Sequence, residues 1–273
     1  MRTKTLLIAA AAMAVGIISS QAQVYSQNIV GYYNVTIPAG QYYILANQLI
    51  NGTDSLATNN DINSVYTAGF TSDPNGPGLG SQCSELLIWS GSSYTPYYFM
   101  NQVDNEAYNG VPAGWVDGAG NPIANGTVSV NQGQGTFVYN PTASSMTTTI
   151  VGSVLKGTNI VQTVTAGQWN MLALAQPIST NAAVAGLGIS NLSSDPNGPG
   201  LGSQCAQMLV WTGLSYTPYY FMNQVDNEAY NGVPAGWVDG SGNPIAINLN
   251  VGQGFFLYQN GTSINYTNVF NPQ

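Results

Sequence analysis

The chain is predicted to be all-β: two tandem homologous β-sandwich- or barrel-like repeats, with a long loop insertion in each. Three observations carry that expectation. Residues 94 to 118, YTPYYFMNQVDNEAYNGVPAGWVDG, recur letter for letter from Tyr216 to Gly240. Short runs of β-branched and aromatic residues alternate with clusters of Gly, Pro, Asn and Ser along nearly the whole chain. Charged residues make up only 5% of it, and aromatics 11%, so solubility falls to Asn, Gln, Ser and Thr while apolar side chains suffice for a core.

The elements follow in order. Residues 1–22 read as a secretory signal peptide: Arg2 and Lys4 form the charged start, Leu6 to Ile18 is apolar, and Ser20-Gln21-Ala22 places small residues before a cleavage site. The apolar run is too short to span a bilayer as a helix, and no second one follows, so no membrane span is expected. Residues 23–153 form the first repeat and 154–273 the second. Ser72 to Ala124 aligns without gaps on Ser194 to Ala246, with 46 of 53 positions identical. Beyond that block PAGQYY from Pro38 answers TAGQWN from Thr165, and NQGQGTFVYN from Asn131 answers NVGQGFFLYQN from Asn250. In the first repeat QYYILANQL, ELLIWSG, SYTPYYFM, GWVDG, GTFVYN and MTTTIVGSV read as strands. SGSS and DGAGN read as hairpin turns, with Gly available where φ must be positive. TNNDINSVYTAG and STNAAVAGLG offer a short N-capped helical turn or two. NQVDNEAYNG reads as a polar loop. In YTPYYFM, Tyr97 and Phe99 fall on one face and Tyr94, Pro96, Tyr98 and Met100 on the other. Neither face is polar, so both call for cover, by the repeat's own core and by the sister repeat, a loop or a partner.

The residues in this order, an AGQ strand, Ile88-Trp89-Ser90-Gly91 followed by Tyr94, Gly114-Trp115, Gly133-Gln134-Gly135 leading into Phe137 and Tyr139, and Thr147 ahead of Val151-Gly152, make a pattern. It resembles a family of exported two-repeat β proteins of environmental bacteria, whose members open after the signal peptide with N-I-V-G-Y, here Asn28 to Tyr32. The resemblance covers nearly all of the mature chain, and its motifs are structural. It implies export and a two-repeat β fold. It implies no catalytic residue, because the family carries no established activity. The SDPNGPGLGSQC and YTPYYFM blocks depart from it by being more alike than ordinary repeats of that family.

Charge and residue type exclude several functions. Loss of the signal peptide leaves one cation, Lys156, against 11 acidic residues, a formal charge of −10. Nucleic-acid binding needs clustered Lys and Arg, and so does docking on an anionic membrane. The chain has no His. Ser-His and Cys-His dyads and His-based metal sites are therefore ruled out, and no phosphate-cradling Gly motif precedes a helix.

Three candidate sites remain. Asp104 and Glu106, with Asp226 and Glu228 in the copy, would share a face if extended, as the paired acids of a glycoside hydrolase require. The same acids with Asp73, Asn75, Asp195 and Asn197 supply oxygen ligands of the kind calcium takes, although Asp-Pro-Asn-Gly is equally the chemistry of a tight turn. Tyr108, Trp115, Tyr230 and Trp237 would stack on sugar rings if exposed, and would belong to a core or interface if buried. Trp89 and Trp211 sit in apolar strands and read as core. Cys83 and Cys205 occupy equivalent positions. In an exported protein they either form a disulfide, worth about 4–5 kcal/mol on the chain-entropy model, or are two buried thiols. The leading expectation is a non-enzymatic structural or adhesive protein of the cell surface or matrix, self-associating through two equivalent repeats. A bivalent carbohydrate-binding protein and a carboxylate-dependent glycoside hydrolase are the alternatives. No cofactor is called for beyond calcium, and the expected partners are the chain itself, a surface component or a glycan.

Overall fold

A computed structural model describes residues 28–50, 60–72, 82–155, 159–181, 189–194 and 204–269. The expected signal peptide, Lys156, the DPNGPGLG segments and most of STNAAVAGLG lie outside these residues. The chain is all-β and sandwich-like, built from open antiparallel sheets.

The first half comprises β1 (Asn28–Ile37), β2 (Tyr42–Ala46), α1 (Ile62–Val65), β3 (Glu85–Trp89), β4 (Tyr94–Met100), α2 (Gln102–Asn109), β5 (Gly114–Val116), β6 (Gly135–Tyr139) and β7 (Met146–Leu155). The second comprises β8 (Asn159–Val164), β9 (Trp169–Ala173), β10 (Thr180–Asn181), β11 (Gln207–Trp211), β12 (Tyr216–Met222), α3 (Gln224–Asn231), β13 (Gly236–Val238), β14 (Pro244–Ile245), β15 (Asn248–Leu249), β16 (Gly254–Tyr258) and β17 (Ile264–Val269). One sheet runs β2-β6-β3-β4-β5, and the other runs β9-β16-β11-β12-β13-β14. Their registers correspond: Leu87 pairs with Phe137 and Phe99 with Trp115, while Leu209 pairs with Phe256 and Phe221 with Trp237. Each half adds a two-stranded ribbon, β1–β7 in the first and β8–β17 in the second.

Period-two alternation decides which face each side chain covers. On β1, Tyr33, Val35 and Ile37 turn inward and pack with Leu86, Phe99, Trp115 and Val138 of the first sheet. On β16, Phe255 and Leu257 turn into the second half's own core, with Met208, Phe221 and Trp237. The central residues of β6 and β16, Phe137 and Phe256, point the other way. They meet Ile44 and Met171 in a third apolar layer, flanked by Tyr42, Leu87, Trp89, Trp169, Leu209 and Trp211. The halves are therefore stacked sheet against sheet, with a ribbon covering each outer side. β4 is covered at its C-terminal end, where Phe99 faces its own core and Met100 is buried, while Tyr94 at the other end stays 37% exposed and packs against Phe137 and near Tyr216.

Contacts across the stack are reciprocal. The Trp89 Nε1–H donates to Trp169 O at 2.7 Å, and the counterpart Trp211 Nε1–H donates to Tyr42 O at 2.6 Å. Leu45 bridges to Gln253, and its counterpart Leu172 bridges to Gln134. Ala46 N donates to Gly252 O and Ala173 N to Gly133 O. These pairs define a local two-fold relation that runs past Gly135 and Gly254. A Cβ on Gly254 would lie 3.4 Å from Gly135 Cα and 3.1 Å from Leu172 O. The second glycines of the two GQG motifs, Gly135 and Gly254, let the two sheets approach closely here.

Buried phenols tie the first half together. The Tyr33 hydroxyl donates to Ala46 O at 2.5 Å and accepts from Gln48 N at 3.2 Å, and the Tyr66 hydroxyl pairs with Thr136 Oγ1 at 3.0 Å. Burial raises all three phenols of this core, Tyr33, Tyr66 and Tyr43, the last to about 12. In the unfolded chain a tyrosine ionises near pH ~10. The native state thus holds protons that the unfolded state releases above that pH, and stability falls as pH rises. The contribution is complete below about pH 9 and is lost as pH climbs through 10 toward 12 and beyond. Urea midpoints measured at pH 7, 9, 10 and 11 should be level for the first two and then fall; equal midpoints at pH 9 and 11 would contradict the burial of these phenols.

Candidate functional site

The segment expected to be a polar loop, NQVDNEAYNG, is a helix in both halves. Asn101 caps α2 by accepting from Asp104 N at 2.9 Å, and Gly110 closes it in the left-handed region at φ 68°. Asn223 and Gly232 do the same for α3. Asparagine is a strong N-cap and glycine the usual C-terminal stop, so the polar composition conceals two good helix signals. Helical geometry separates the acid pair: residues two apart stand about 200° apart around the axis and do not face each other. Asp104 accepts from Ser72 Oγ at 2.5 Å, whereas Glu106 accepts from Gln102 Nε2 at 2.8 Å on the exposed side. Asp226 with Ser194 and Glu228 with Gln224 repeat this arrangement. The shared carboxylate face that an extended segment would give is corrected to two acids on different sides of a helix.

The residues expected as calcium ligands can be placed only in part. Asp73, Asn75, Asp195 and Asn197 lie outside the described residues. Among the described residues no three acidic or thiol side chains form a metal cluster. Asp117 is held by its own turn: its carboxylate accepts from Ala119 N and Asn121 N and is met by the Asn121 amide, which together lower its pKa. Asp239 is held in the same way by Ser241 and Asn243.

The aromatic candidates separate into two kinds. Trp115 and Trp237 are 1% and 2% exposed. Trp115 packs edge-on to Phe70 and Phe99, and its Nε1–H donates to Tyr66 O at 3.0 Å. A sugar ring cannot stack on either indole, and the ligand role expected of these two is corrected to a core role. A cleft of about 530 Å³ does lie here, lined by Asn63, Asn105, residues 111–115 and residues 122–125, but Trp115 is only 1% exposed and Asn63 stitches the two walls through Trp115 N and Ile123 O. Tyr108 and Tyr230 are exposed on the outer face of α2 and α3, as a ligand role would need, without a neighbouring tryptophan face. Cys83 and Cys205 are both buried, each just ahead of an equivalent strand (β3 and β11), and they are not bonded to each other. Of the two readings left open by the sequence, a disulfide or two buried thiols, the structure has the second, because the sheets meet through β6 and β16 and not through the segments that carry the cysteines.

The stack also creates a feature that no single repeat contains. A cleft of about 420 Å³ runs between the halves, with Trp89 and Trp169 at one side and the amides of Gln132, Gln134, Gln162 and Gln168 in its walls. It meets, at the same two tryptophans, an aromatic hollow of about 210 Å³ completed by Tyr94, Leu209, Tyr216 and Phe256. The Trp89 and Tyr94 rings lie 4.7 Å apart, and Trp169 lies 6.3 Å from Phe256, edge-on. Among the described residues no ionised side chain lines either part. Burial raises the Tyr94 and Tyr216 phenols, and each phenol lies close enough to perturb the other. The Gln168 amide lies across Gly91, whose φ of 99° belongs to glycine, about 3.0 Å from where a Cβ would stand. Gln132 is fixed by donating Nε2–H to Gln48 O and Ala175 O, which leaves its Oε1 without a partner, and Gln162 Oε1 also lacks one.

Among the described residues no helix is long and apolar enough to cross a membrane. Comparison with protein-family models, with curated proteins and with solved structures finds no match to this chain.

Proposed function

We propose that the chain is a non-enzymatic exported protein that serves as a structural and adhesive component of the cell surface or extracellular matrix. The observation that supports this most is the outer face of the two ribbons. Val30, Tyr32 and Val151 on β1–β7, and Val161 on β8–β17, stand exposed among Asn and Thr. The strand sequences of both ribbons contain no charged residue, so the repulsion that ordinarily keeps exposed strands apart is missing. The separated carboxylates and the absence of His argue in the same direction. The test is sedimentation of the mature chain over a range of concentrations, together with its retention on isolated cell envelopes. Self-association or retention is expected, and the double substitution Val30→Lys with Val161→Lys should weaken it. A strictly monomeric chain that washes off envelopes and matrix alike would overturn the reading.

A further inference from the structure

We propose that the cleft over Trp89 and Trp169 is a binding site for a neutral oligosaccharide, and that it exists only because the two halves are stacked. The proposal names a ligand class for the adhesive reading and rests on that reading only in taking the chain to be a binding protein. The cleft and its aromatic hollow together are of the size that small-ligand sites occupy, about 300–1,000 Å³. Planar indole and phenol rings offer apolar faces at one end. At the other, amides offer donors and acceptors suited to hydroxyl groups. The Gln132 and Gln162 amide oxygens lack partners in the folded chain, and an unpartnered buried acceptor is costly until a donor reaches it. Because Gln132 Nε2 is already committed to two carbonyls, its amide cannot flip to relieve this. A ligand rich in O–H donors meets the requirement. An anionic polymer does not, since no cation lines the walls among the described residues. A quaternary ammonium ion would fill the aromatic hollow through cation–π contact but would leave the amide wall unused.

The test is titration of intrinsic tryptophan fluorescence with cellohexaose, xylohexaose, laminarihexaose and maltohexaose, with polygalacturonate and choline as comparators. At least one hexasaccharide should give saturable binding, and the comparators none. Gln162→Leu keeps the side-chain volume and removes the unpartnered acceptor, so its melting temperature should not drop while affinity falls roughly ten-fold. Trp169→Ala should abolish the signal change, and circular dichroism would show whether it folds. Failure of all four sugars, full affinity in a folded Gln162→Leu, preference for choline, or loss of binding only in Tyr108→Ala with Tyr230→Ala would each overturn the proposal. Envelope retention with no oligosaccharide binding would remove this site and leave the adhesive reading standing. Oligosaccharide binding without retention or self-association would do the reverse.

Discussion

Gly254→Val is expected to push the two sheets apart. A Cβ at that position collides with Ile44 Cγ2 and sits 3.1 Å from the carbonyl oxygen of Leu172, so neither neighbour can give way without moving a strand. Overpacking of a filled layer costs about 1–3 kcal/mol, and for a chain of this size each kcal/mol moves the melting temperature by about 2–4 °C. A loss of several degrees should therefore accompany a red shift in tryptophan emission as Trp89, Trp169 and Trp211 gain water. Gly110→Ala is the control, since nothing lies within 4 Å of its Cβ. It carries only the cost of a non-glycine residue at φ 68°, roughly 1 kcal/mol. If Gly254→Val melts with the parent and emits at the same wavelength, the sheets do not approach at the GQG glycines.

Trp115→Ala should be more damaging still, for a different reason. The indole is almost wholly enclosed, and truncations of buried aromatic residues cost about 3–5 kcal/mol. The change would also strand the Tyr66 carbonyl that Nε1–H now satisfies. Tyr108→Ala, seven residues earlier in the same duplicated block, should shift stability by no more than about 0.5 kcal/mol, as exposed substitutions usually do. Chemical denaturation of the two variants side by side checks the contrast. Equal midpoints would mean that Trp115 is not a core residue.

That contrast shows what could be read from the sequence and what could not. Strands such as YYILA and TFVY were legible because alternation and β-branching are local properties. The two-sided apolarity of YTPYYFM called for a second covering surface, and the structure supplies one in part, with Tyr94 near Tyr216 of the other half and Met100 beside Asn109 of its own. The helices at Gln102–Asn109 and Gln224–Asn231 were missed because a polar, Asn-rich segment resembles a loop. Their signal was at the ends, in the Asn101 cap and the Gly110 stop. Trp115 and Tyr108 could not be told apart by residue type, since burial depends on what α1 and Phe70 bring over the strand. The cleft was the least legible feature. Its walls come from positions 89, 131–134 and 160–172, which share no local pattern and meet only through the packing of two sheets.

The close approach of Gly135 and Gly254 has one further consequence. A free single repeat built this way would expose the aromatic side of its sheet, and it could hide that side only by pairing with another copy of itself. Any site at such a junction would then appear twice and change twice with every mutation. Joining the copies in one chain removes that constraint. Gln162 and Trp169 can vary while their opposite numbers stay fixed, so one side of the junction is free to specialise while the other goes on holding the molecule together.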